Sequence, residues 1–178
     1  NPKEAQNYLD LLPKNLTNLQ SNYSDYLLAK MYYQSGKKER ARVMTEALTD
    51  AEISRKARAK ATYELVTQDL AAGKITPEVA AKKLDNLLIV WRGDAFEYNL
   101  LAKVGELYNI SKSPLKSLRM YKNAISRFAE FPRNTEFADN MKNIFIASLN
   151  SESNSQDSIF ETLTIYQEFK ELLPVGKE

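Results

Sequence analysis

The sequence predicts an all-α fold, an α-solenoid of antiparallel helix pairs, and three observations carry that expectation. Apolar residues recur at three- and four-residue spacing along most of the chain, and no strand-type alternation interrupts them. Helix punctuation is regular: Thr76-Pro77-Glu78 and Ser113-Pro114 each place a hydroxyl before a proline at the first helical position. A glycine also sits inside an amphipathic run, Val104-Gly105-Glu106. There it costs about 1 kcal/mol against alanine, so it needs a packing reason. Ser117, Tyr121 and Ala124 are phased to give that reason, a tight contact with the next helix.

About nine helices with short connections follow, which implies antiparallel neighbours. Asn1-Pro2 opens a first helix reaching about Leu12, and Pro13 ends or kinks it. Ser24 or Asp25 starts a second, which runs to Ser35 and stops at Gly36. Lys37 to about Leu48 is the third. Asp50 is expected to cap a long fourth, with Ile53, Ala57, Ala61, Leu65 and Leu70 on one face and Gly73 near its end. From Thr76-Pro77 a fifth carries Ala80, Leu84, Leu87, Leu88 and Trp91, with Trp91 read as core. Arg92-Gly93 stops it and Asp94 caps the sixth, striped by Leu100, Leu101, Val104, Leu107 and Tyr108. The seventh holds Leu115, Leu118, Tyr121, Ile125 and Phe128. Phe131-Pro132 breaks the chain, and from about Asn134 the eighth carries Phe137, Met141, Ile144, Phe145 and Leu149. After a polar loop, a last helix from about Asp157 places Ile159, Phe160, Leu163, Tyr166 and Phe169 on one stripe. The whole of 1–178 reads as a single domain.

Composition narrows the chemistry. Of 178 residues, 43% are hydrophobic and 27% charged, which suits a globular chain. Lys and Arg number 25 against 23 Asp and Glu, a net charge of +2, too small an excess to expect a nucleic-acid partner. There is no cysteine and no histidine. Triads built on histidine, thiolate nucleophiles and His- or Cys-ligated zinc are therefore excluded. No carboxylate pair or glycine loop stands out as a site, so no enzyme activity, cofactor or metal is expected. No run approaches the roughly 20 apolar residues of a membrane span. The start at Asn1, without methionine or a visible signal segment, suggests an excised piece of a longer protein. Two basic clusters, Lys37, Lys38, Arg40 and Arg42 with Arg55, Lys56, Arg58 and Lys60, read as solvated helix faces with acids between them. Arg92-Gly93-Asp94 reads as a helix stop and cap, not an adhesion tripeptide.

The residues Val104, Gly105, Tyr108, Ser117, Tyr121 and Ala124 fit the small and aromatic pattern of a helical-hairpin repeat, and Leu28, Ala29, Tyr32, Gly36 and Ala41 fit it again. The best matches are 24–48 and 98–128. On these residues the chain resembles a tetratricopeptide-repeat-like protein, which implies a right-handed solenoid. Segments 70–77, 91–94 and 163–176 are similar to parts of long tetratricopeptide proteins of alphaproteobacteria. That resemblance implies an internal slice whose last helix is not a true cap, and it favours the bacterial cell envelope or periplasm over the cytoplasm.

Such repeats stack and leave a concave surface lined by the first helix of each pair. The repeat fit puts Tyr23, Tyr26, Lys30 and Tyr33 on that surface in one unit, and Asn99, Ala102, Glu106 and Asn109 in another. The expected partner is a protein or peptide bound there, because tyrosine offers large contact area at low entropy cost. The competing reading packs two of the three tyrosines against the preceding helix. Alternatives for the whole are a structural spacer that self-associates through the solenoid ends, or an accessory helical region of a larger envelope protein.

Overall fold

A computed structural model describes residues 7, 11, 17–50, 52–150 and 156–173. These form eight α-helices, one short 3-10 turn and no strand, so the fold is all-α. The first expected helix, over 1–12, lies outside the described residues except at positions 7 and 11. The chain divides into two compact units, Asn1–Ile75 and Thr76–Glu178.

The first unit holds α1 (Asn18–Gln34), α2 (Lys38–Ala47) and α3 (Arg55–Ala71). Each helix packs on the next, and α1 also reaches α3. α1 begins earlier than Ser24 because Thr17 and Gln20 form a reciprocal capping box. Ser24 lies inside the helix, and its hydroxyl donates to the Gln20 carbonyl at 2.9 Å. α3 begins later than Asp50. Asp50 instead closes a turn, accepting from the Glu52 amide at 3.0 Å, and the Ser54 side chain caps the helix by accepting from Ala57 N–H. Ala57 and Ala61 are fully buried against Tyr26 and Leu48, with Tyr23 and Ile53 at the edge. Alanine at both positions leaves room for the Tyr26 ring and Leu48 to pack against α3.

The second unit holds α4 (Pro77–Val90), α5 (Ala95–Ile110), α6 (Pro114–Arg127), α7 (Asn134–Leu149) and α8 (Gln156–Phe169), then the turn Lys170–Leu172. Successive helices pack on one another, and α6 also touches α8. Thr76 and Asp94 cap α4 and α5 as the sequence predicts; Ser113 precedes its proline without making a side-chain cap bond. Phe137, Phe145, Leu84, Leu100, Leu101, Val104, Leu107 and Leu118 are all fully buried. Burial of each large apolar side chain contributes roughly 1.5–3 kcal/mol. Tyr98 anchors the Phe131-Pro132 break: its ring lies 4.5 Å from that of Phe131, and its hydroxyl donates to Asn134 Oδ1 at 3.0 Å.

Gly105 has the packing role that the sequence asks of it. A Cβ there would lie 3.2 Å from Tyr121 Cζ and 3.3 Å from Met120 Cβ. The buried Ser117 hydroxyl donates to the Gly105 carbonyl at 2.7 Å, tying α5 to α6 beside this contact.

Two packing expectations change. Trp91 is not on the core stripe. α4 ends at Val90, Trp91 takes extended backbone as its C-cap, and Gly93 turns the chain at φ +94°. The indole, half-buried, donates to Asp94 Oδ1 at 2.8 Å. The α8 stripe also divides: Ile165 and Phe169 are buried, whereas Ile159, Phe160, Leu163 and Tyr166 are exposed. The apolar residues of α8 span more than one face, and only the one turned to the neighbouring helices is covered.

Candidate functional site

The predicted tyrosine set occupies three different environments. Tyr26 is 7% exposed and belongs to the core of the first unit. Its hydroxyl donates to Glu64 Oε1 at 3.1 Å, joining α1 to α3. Burial, reinforced by the Glu64 charge, raises the phenol well above its ordinary value. Tyr23 is half-buried and stacks on Tyr26 with centroids 5.9 Å apart. Lys56 and Lys60 lie over its ring at 5.1 and 5.5 Å. Tyr33 is the open one, at 37% exposure. Lys30 pairs with Glu64 at 3.3 Å, so one carboxylate holds both the Tyr26 phenol and the Lys30 ammonium.

Tyr33 lies between two hollows. The first, about 240 Å³, is lined by Tyr26, Ala29, Lys30, Tyr33, Gln34, Thr45, Glu64 and Gln68. The second, also about 240 Å³, is lined by Tyr33, Lys38, Glu39, Arg42, Gln68, Ala71, Ala72 and Lys74. Tyr33 and Gln68 belong to both. Each hollow is smaller than the roughly 300–1,000 Å³ typical of small-molecule pockets, so side chains fit better than a cofactor. The side-chain amides of Gln34 and Gln68 have no partner among the described residues, which leaves them free to bond a visiting backbone. Arg42 is committed: it binds Asp69 at 2.5 Å and Glu46 at 2.6 Å, and these hydrogen bonds hold it more firmly protonated than usual.

The second set, on α5, stands by itself in the second unit. Asn99, Glu106 and Asn109 are exposed and Ala102 is buried. Glu106 is paired with Lys103 at 3.0 Å. Asn99 and Asn109 carry side-chain amides with no partner among the described residues.

The basic clusters are largely engaged. Lys37 and Arg40 lie over the Tyr32 ring at 5.4 and 4.5 Å, and Lys56 and Lys60 cover Tyr23. Arg92-Gly93-Asp94 is a structural knot. The fully buried Glu97 accepts from Gly93 N–H at 2.5 Å and pairs with Arg92 at 3.1 Å and Arg127 at 2.5 Å. Glu97 went unmarked in the sequence, because Arg127 reaches it from another helix.

Gln68, Thr45 and Lys74 could not be assigned to a site from the sequence either. They meet Tyr33 only because α1, α2 and α3 converge. Among the described residues no cluster of carboxylates is placed to hold a metal ion, and no helix is long and apolar enough to cross a membrane. Comparison of the chain with protein-family models, with curated proteins and with solved structures gives no match.

Proposed function

We propose that this chain is a non-catalytic protein-interaction scaffold of the tetratricopeptide-like kind, which takes a peptide or an extended protein segment at the hollows around Tyr33 and Gln68. The observation that carries the reading is the pairing of two side-chain-sized hollows on either side of an exposed tyrosine. Such spacing suits successive side chains of one bound segment, with Gln34 and Gln68 placed for its backbone. The lack of histidine and cysteine supports a binding role over a catalytic one. The test is affinity capture from extracts of the cells that make the protein, comparing wild type with Tyr33→Ala/Gln68→Ala. A specific partner captured by wild type and lost with the folded variant supports the reading. Equal capture by both moves the site elsewhere.

A second reading, an assembly or spacer segment, is favoured by one observation. Ile159, Phe160, Leu163 and Tyr166 form an exposed apolar face on α8, the kind of face that marks a contact surface. Concentration-dependent association that Leu163→Glu abolishes, and that Tyr33→Ala leaves intact, would favour it.

A further inference from the structure

The two hollows differ in chemistry, and the difference specifies what binds. One has a floor of Tyr26 and Ala29, with its only acid, Glu64, already holding Lys30 and the Tyr26 phenol. An apolar side chain can enter it without stranding a charge. The other is walled by Lys38, Arg42 and Lys74 against a single carboxylate, Glu39. Arg42 is neutralised by Glu46 and Asp69. Lys38 and Lys74 have no partner among the described residues. Two unpaired ammonium groups on one concave wall attract a negative group and lose no existing ion pair on receiving it.

We infer that the scaffold recognises an acidic peptide segment: an Asp or Glu side chain entering between Lys38 and Lys74, and an apolar side chain a residue or two away entering the hollow floored by Tyr26 and Ala29. This rests on the peptide-binding reading above and names its ligand class. Tyr33 and Gln68, common to both hollows, set the spacing between the two side chains. The charge contact makes binding salt-sensitive, because both lysines are exposed.

The test is selection of a random dodecapeptide display library on the 178-residue chain, followed by titration of the recovered peptides. Titrations use wild type, Lys38→Glu/Lys74→Glu and Tyr33→Ala, each checked for folding by circular dichroism. The expected peptides share an Asp or Glu within a few positions of an apolar residue. They bind Lys38→Glu/Lys74→Glu at least about tenfold more weakly and weaken as salt is raised. Amidation of the acidic side chain should cost wild type a similar factor and the lysine variant little. Peptides that lack an acid, or that bind the lysine variant as well as wild type while losing affinity with Tyr33→Ala, would overturn the acidic specificity and leave the peptide site standing. A library that yields no binder, or binders indifferent to all three positions, would overturn both.

Discussion

A methyl group at position 105 would sit 3.2 Å from Tyr121 Cζ and 3.3 Å from Met120 Cβ, and the Tyr121 ring is backed by Phe137 at 5.4 Å. The ring has little room to yield. Alanine there gains about 1 kcal/mol of helix propensity but pushes α5 from α6. Gly105→Ala is therefore expected to melt no higher than wild type, and Gly105→Leu to be destabilised by about 1–3 kcal/mol; thermal denaturation checks both. Glu97 is the other residue on which one atom group matters. Its carboxylate satisfies the Gly93 amide and two arginines from a fully buried position. The arginines are 54% and 38% exposed, so water can take them over. Glu97→Ala should cost about 1–3 kcal/mol, and Glu97→Gln less, since its amide oxygen still accepts from Gly93. Urea midpoints would show the order. The Gly105 contact was legible in the sequence because a helical glycine is anomalous by itself. The Glu97 knot was not, because Arg127 lies thirty residues along the chain and no local rule pairs them.

At the level of elements, two phenol–carboxylate bonds tie helices together. Tyr26 joins α1 to α3 through Glu64, and Tyr108 joins α5 to α4 through Asp85 at 2.7 Å. Burial first, and then the carboxylate, raises both phenols above their ordinary value. The unfolded chain therefore loses these protons at a lower pH than the folded one does. Their contribution is complete below the ordinary tyrosine value of about 10 and is lost as pH rises through the elevated native values. Chemical denaturation should show stability falling above about pH 10, with a shallower fall in Tyr26→Phe/Tyr108→Phe. The same burial separates two tyrosines that the helical repeat fit had placed on one face. Tyr26→Ala should cost about 3–5 kcal/mol, whereas Tyr33→Ala should leave the melt within about 0.5 kcal/mol of wild type. The helices from α4 to α7 and most of the buried stripes of α4, α5 and α7 were readable from periodicity alone, whereas on α6 only Leu118 and Tyr121 of the predicted stripe are buried, and Leu115, Ile125 and Phe128 are half-buried. Starts were less so: Thr17 with Gln20, and Ser54, beat Ser24 and Asp50 because side-chain geometry decides which hydroxyl reaches an amide. α8 misled because its apolar residues cover more than one face, and composition does not say which is buried.

Across the molecule, each compact unit carries its own open surface: the paired hollows at Tyr33 in the first, and the apolar α8 face in the second. They support different roles, and they are separable because Leu163 and Tyr33 belong to different units. Tyr33, Tyr26 and Lys30 were singled out from the repeat pattern, yet the hollows themselves were not. Gln68, Thr45, Lys38 and Lys74 come from helix ends and neighbouring helices, and only the packed first unit brings them together. The central claim, that a partner segment lies against Tyr33, is tested most directly by site-specific photocrosslinking. A benzophenone amino acid would replace Tyr33 in one sample and the 65% exposed Val43 of α2, which lines neither hollow, in another. The expected result is one defined adduct from position 33, mapping to a single partner segment, with none from position 43. Equal, diffuse labelling from both positions, or an adduct from position 43 alone, would contradict the account.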